Sequence, residues 1–120
     1  MLDVVREFAQ ACRREDLAAV RGALTPDAVA VCDGGGLLPA ALDVVHGAAD
    51  VARLVVLLCG RPGTELTVES VNGRAGLAVR RAGRAVVVIG VDVAGTAVTG
   101  LWIVLNPAKL RGWSREPRGL

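Results

Sequence analysis

One carboxylate stands alone in the most apolar stretch of this chain. Within residues 85–105 the only ionisable side chain is Asp92, and strand alternation would set it on the same side as Val86, Val88 and Gly90. An apolar setting raises the pKa of a carboxyl group and makes it a usable general base. Asp92 also comes one step before Val93-Ala94-Gly95, and a carboxylate near a strand end suits the rim of a sheet, because aspartate is rarely buried whole. Both readings stay open at this point.

Other residues with chemistry to offer are few. Asp33-Gly34-Gly35-Gly36 presents successive backbone amides that can cradle an anion, or a turn whose glycines simply permit positive φ. The GxxxxGK[ST] pattern is absent, so a phosphate-binding P-loop is not supported. Trp102, with Gly100 beside it on the same strand face, is either the floor of a ligand cavity or the largest core residue of an aromatic-poor protein. His46, the sole histidine, precedes a helix and suits a surface or capping position. Arg53 has Asp33 or Asp50 within reach, or water. Asp92, Trp102, Arg53 and His46 are the candidates for lining a binding cone. Arg80, Arg81 and Arg84 cluster around a turn and read as solvated. Cys12, Cys32 and Cys59 are odd in number and far apart, and one histidine offers no second imidazole, so neither a structural metal nor a cofactor is expected.

The elements that must position these residues follow from periodicity. In residues 2–14, Val4, Val5, Phe8, Ala11 and Cys12 recur at helical spacing. Asp16 caps a second, shorter helix that ends at Thr25-Pro26. Residues 28–32 read as a strand closed by the glycine run, and residues 37–46, with Pro39, as irregular chain. Residues 47–59 form a third helix with Val51, Leu54, Val55 and Leu58 on one face. Four strands then run in a meander, joined at Asn72-Gly73, Ala82-Gly83 and Gly95-Thr96. Helices gathered early and antiparallel strands gathered late predict an α+β fold, a curved sheet of about five strands around a long first helix. The concave side of such a sheet is a cone that takes a ligand or pairs with a copy of itself.

Composition narrows the class. The 120 residues make one domain able to remove roughly two-thirds of its unfolded surface from water. Apolar residues make up 52% of the chain but aromatic ones only 2%, so the core is built from valine, leucine and alanine. That leaves room for a cavity holding a small apolar ligand, or for an apolar interface. A net charge of +2 with no dense basic stripe argues against direct nucleic-acid binding. The apolar run at residues 85–105 is β-branched and interrupted by Gly90, Gly95 and Gly100, so it reads as a hairpin and not as a membrane span. Charges through MLDVVREFAQACRRED exclude a signal-peptide core there. The expected location is a reducing cytoplasm, with three free thiols.

Four motifs carry a resemblance. Asp33-Gly34-Gly35-Gly36, the HGAADVAR run at residues 46–53, Val71-Asn72-Gly73 with Gly76-Leu77, and Asn106-Pro107-Ala108-Lys109-Leu110 resemble the C-terminal accessory domain of SigJ-type extracytoplasmic-function sigma factors. That domain is a member of the SnoaL-like, ketosteroid-isomerase-like cone superfamily, and the likeness covers nearly the whole chain. It implies a non-enzymatic regulatory or ligand-sensing domain that follows two promoter-binding sigma regions and modulates transcription initiation, with Asp33, Gly34, Gly35, Gly36, Asn106, Pro107, Lys109 and Leu110 as its regulatory motif. A sigma factor or RNA polymerase component is then the implied partner. Leu37 stands where the family usually has lysine, and Ala108 where it usually has aspartate. The alternative is a small isomerase, cyclase or hydrolase working through Asp92. The aspartate–tyrosine pair of ketosteroid isomerases cannot be copied, because the chain has no tyrosine.

Further expectations concern arrangement. Residues 1–110 form the cone domain and residues 111–120 a basic tail, and the chain is either an excised domain or a free-standing relative. Three helices can blanket only one side of a sheet, so part of the other side is expected to pair in a homodimer. The ends of the first and last strands should bring Asp33 and Lys109 to the same end of the cone.

Overall fold

The computed structural model describes residues 2–34 and 43–113. Gly35, Gly36 and Leu37 of the glycine motif, and residues 114–120 of the basic tail, lie outside the described residues. Helix α1 spans Leu2–Arg13 and buries Val5, Phe8, Ala9, Ala11 and Cys12. Full burial of Phe8 alone contributes about 3 kcal/mol. Helix α2, Leu17–Ala23, starts where the Asp16 carboxylate accepts the Ala19 amide at 3.1 Å. Helix α3, Ala48–Cys59, buries Val51, Ala52, Leu54, Val55, Leu58 and Cys59.

The strands are β1 (Leu24–Asp33), β2 (Val44–His46), β3 (Thr64–Val71), β4 (Arg74–Arg81), β5 (Arg84–Ala94) and β6 (Ala97–Val104). They form one six-stranded sheet in the order β2-β1-β6-β5-β4-β3. The α+β cone expected from the sequence is present, with three differences. Residues 44–46, read as irregular, form an edge strand antiparallel to β1. Strand β1 starts at Leu24 and passes through an irregularity between Leu24 and Val29 that accommodates Pro26. Finally, β1 pairs with β6 in parallel, so the sheet is mixed and not wholly antiparallel.

The three hairpins sit where turn chemistry places them. Asn72 and Gly73 have φ of 51° and 81°, and Ala82 and Gly83 have 52° and 80°, so these two turns each carry two consecutive left-handed residues, which match the right-handed strand twist; the third has one, Gly95 at 62°.

Helices α1, α2 and α3 cover one face. Phe8, Leu77, Ile89, Ile103, Val51 and Val55 meet there with essentially no exposed surface. A void large enough for water would leave accessible surface on the side chains around it, so the space between α1 and the sheet is filled at these residues. The opposite face carries a smaller cluster of Val71, Ala78, Ala85, Val88, Val104 and Leu110. It is partly covered by a short helix α4 (Pro107–Leu110) and a 3-10 turn (Arg111–Trp113), both packed on β5.

Candidate functional site

Register determines which residues share the face away from α1–α3. Val29, Gly100 and Asp92 form one row across β1, β6 and β5, Val31, Trp102 and Gly90 the next, and Asp33, Val104 and Val88 the third. Val31 and Val44 are each 45% exposed and Trp102 is 38% exposed, an apolar strip at the β2-β1-β6 side of the sheet.

The third row is where the motifs meet. The Leu105 amide donates to the Asp33 carbonyl at 2.8 Å, tying the end of β6 to the end of β1. The chain then turns at Asn106, whose carbonyl accepts the Lys109 and Leu110 amides at 3.0 and 3.2 Å. Proline is favoured at the first position of a helix because its missing N–H would have no partner there, which fits Pro107 at the start of α4. One turn later, the Lys109 ammonium returns to the Asp33 carboxylate as an ion pair, and Leu110 is buried against Val88 and Val104. Asp33 and Lys109 thus lie together at one end of the sheet, as the motifs led us to expect. A third motif joins them: Val71, Asn72, Val88, Trp102, Val104 and Lys109 line a dimple of about 160 Å³ on this face.

Gly76 belongs to the same construction. A Cβ there would lie 2.5 Å from the Ile89 carbonyl oxygen and 2.6 Å from Val71 Cγ2, so the glycine lets the Val71 side chain lie over β4.

The other candidates fall elsewhere. Asp92 is on the face away from α1–α3, not in the space between α1 and the sheet. Its side chain is 63% exposed, with Arg74 Nη1 3.0 Å from Oδ1. The apolar setting that would make it a base is therefore not its environment, and the strand-rim reading describes it. Trp102 lines the outer dimple and not an inner cavity. His46 and Arg53 share a shallow groove of about 560 Å³ between β2 and α3, with Val44, Leu54 and Leu57. Arg53 pairs with Asp50 at 3.3 Å, one of the two partners read from the sequence. Among the described residues no cluster of three or more histidine, cysteine or acidic side chains is placed to hold a metal, and no helix is long and apolar enough to cross a membrane.

Two features were not legible in the sequence. Arg80, read as solvated, is only 6% exposed; its guanidinium pairs with Glu69 and donates to Thr67 Oγ1 at 3.0 Å. The signal available was that Arg80 alternates with the core residue Val79 and so faces the same side as Thr67 and Glu69. Cys12 and Cys59, far apart in sequence, are both buried in one core at the ends of α1 and α3.

No protein-family model matches the sequence, and comparison with curated proteins gives no match. Solved structures do match. A putative ketosteroid isomerase from Kribbella flavida aligns at TM-score 0.58 and 15% identity, over 86% of this chain and 75% of its own. An LEH-like epoxide hydrolase of Mycobacterium tuberculosis aligns at 0.56 and 20%, over 91% and 84%. These likenesses are of fold: the chain is similar to NTF2-like and ketosteroid-isomerase-like α+β cones. Within that class it resembles the extracytoplasmic-function sigma factor SigJ of Mycobacterium tuberculosis, with TM-score 0.66 and 29% identity over 92% of this chain. The match spans 43% of the SigJ chain.

Proposed function

We propose that this domain is a non-enzymatic regulator of transcription initiation, acting as the accessory domain of a SigJ-type sigma factor does. It works by docking the sheet face away from α1–α3 on the promoter-binding sigma regions. The observation that carries the reading is the convergence of three motifs, through Asp33, Asn72 and Lys109, on one dimple beside the exposed strip of Val31, Val44 and Trp102. More than half of the SigJ chain lies outside the match, so a relative of this kind has further chain for such a face to contact. The rim carries both signs, with Lys109 and Asp33 at one end of the strip and Arg74 and Asp92 near the other, which fixes the register of a docked surface more than its affinity. A cytoplasmic setting follows from this role.

The catalytic alternative needs a second polar group converging with Asp92 inside the cone. Asp92 is outside it, paired with Arg74, and the enzyme-named neighbours are similar at the level of fold. A small-ligand role has better support in the groove of His46 and Arg53 than in the filled interior.

Lys109→Glu tests the proposal. An exposed ion pair contributes about 0–1 kcal/mol, so the melting temperature should stay nearly unchanged. Binding to the two promoter-binding regions of a SigJ-type sigma factor, followed by calorimetric titration, should weaken. Unchanged binding would remove the motif end from the interface.

A further inference from the structure

We propose that the free edge of β2 and the adjacent stripe of α3 form a two-fold interface with a second copy of this chain, joining two sheets edge to edge. The inference does not rest on the regulatory reading above. Strand β2 ends the sheet order. The Cys32 amide donates to the Asp43 carbonyl at 2.7 Å and the Gly47 amide to the Ala28 carbonyl at 2.8 Å, so residues 43, 45 and 47 turn their backbone groups toward β1. By alternation the amides and carbonyls of Val44 and His46 turn outward. The opposite edge of the sheet is not equivalent. On β3 the Leu66 carbonyl already accepts Nε and Nη2 of Arg13, at 3.2 and 3.1 Å, and a charged side chain laid along an edge opposes strand addition there.

Three residues of edge are too few to hold two chains, and α3 supplies the rest. Asp50, Arg53, Leu54 and Leu57 form one stripe of α3 along the groove beside β2. Leu57 is 68% exposed, the most exposed large apolar side chain among the described residues. Asp50 and Arg53 carry opposite charges and pair at 3.3 Å, so the stripe is neutral and meets a copy of itself without net repulsion.

An antiparallel pairing about an axis through Val45 brings these features together. Val44 of one chain then lies opposite His46 of the other, and each such pair exchanges both backbone bonds. Asp43 falls opposite Gly47 of the second copy. Asp43, Val45 and Gly47 share the sheet face that carries α1–α3, because the residues opposite them on β1, Cys32, Ala30 and Ala28, are buried in the core on that side. Helix α3 begins at Gly47 without a side-chain cap. Asp43 is exposed, and among the described residues no cation pairs with it. Across the axis each Asp43 therefore supplies the negative group that the other chain's α3 lacks at its N-terminus. A strand of unrelated sequence would complete the backbone bonds but not this exchange, which is what assigns the edge to a second copy. Val31 and Trp102 lie on β1 and β6, inward of the edge, so this pairing leaves them free.

The test is sedimentation equilibrium of the chain at micromolar concentration, with circular dichroism as the check on folding. Wild type and Val31→Glu should both show twice the chain mass, because Val31 is not at the edge. Leu57→Asp and Val44→Pro should each show the mass of one chain; the proline removes an outward amide and no bond to β1. On mild oxidation Val45→Cys should give a disulfide-linked dimer that wild type does not give. The two Val45 Cα atoms face each other across the axis about 4.5 Å apart, within the span of a disulfide. Should Val44→Pro fail to fold, Leu57→Asp and Val45→Cys still decide. A monomeric wild type, a dimer that survives Leu57→Asp, or no cross-link in Val45→Cys would overturn the proposal. So would a dimer that Val31→Glu dissolves, because the sheet face and not its edge would then hold the copies together.

Discussion

Two ion pairs with opposite environments set the terms at the residue scale. Arg74 and Asp92 are 71% and 63% exposed, so water and salt screen them. Asp92→Asn should keep the fold and lower stability by less than about 1 kcal/mol, read from a chemical denaturation midpoint. A larger loss would mean that the carboxylate has a role beyond this pair. Arg80 and Glu69 are 7% and 19% exposed, and removing one partner strands a charge that water reaches poorly. Arg80→Ala is therefore expected to cost about 3–5 kcal/mol, and a loss below 1 kcal/mol would show that Glu69 finds water instead. The sequence foretold the first environment only in part and the second not at all. Alternation tells which residues share a face of β4, but not that a C-terminal helix and turn come back over that face. The pairing of Asp33 with Lys109 was legible because both sit in motifs at strand ends, where a turn brings distant chain together. That Cys12 and Cys59 would share one core was not, because nothing in residue spacing records how the ends of two helices meet.

At the scale of elements, turn chemistry was the most readable signal and strand order the least. Asn72-Gly73, Ala82-Gly83 and Gly95-Thr96 each join the strands that the sequence led us to pair. Ala82 holds a φ of 52°, where an ordinary side chain is strained and asparagine or glycine is not. Ala82→Asn should raise stability by roughly 0.5–1 kcal/mol, visible as a higher thermal midpoint; no gain would mean the turn relaxes at little cost. Gly76 gives the opposite case. Its missing side chain leaves space for Val71, and one close neighbour is the Ile89 backbone oxygen, which cannot rotate away. Gly76→Ala should cost about 1–3 kcal/mol, and a neutral result would show that β4 and β5 shift freely. The parallel pairing of β1 with β6 has no such local code. The two strands are far apart in the chain, and they become neighbours only when α1–α3 are seated on one side. Strand β2 escaped notice because three residues are too few for alternation to register.

For the molecule as a whole, the division of the sheet into two faces decides the functional account. One face is sealed by α1–α3, and its interior is side chain. The other is covered by α4 and the 3-10 turn near β5, and along β2, β1 and β6 it leaves Val31, Val44 and Trp102 partly exposed. The sequence showed that three helices could not cover both faces, and from this a homodimer was expected. The sigma-type occupant proposed above would use the same strip, because the motifs lie at its border. If both use that strip, self-pairing and sigma binding compete. The most direct measurement is sedimentation velocity of the chain alone and mixed with the two promoter-binding regions of a SigJ-type sigma factor, for wild type and Val31→Glu. The account predicts a one-to-one complex for the wild type that is lost in Val31→Glu while the circular dichroism spectrum is unchanged. A wild-type chain that sediments identically with and without the sigma regions, or a self-paired chain that excludes them, would contradict it.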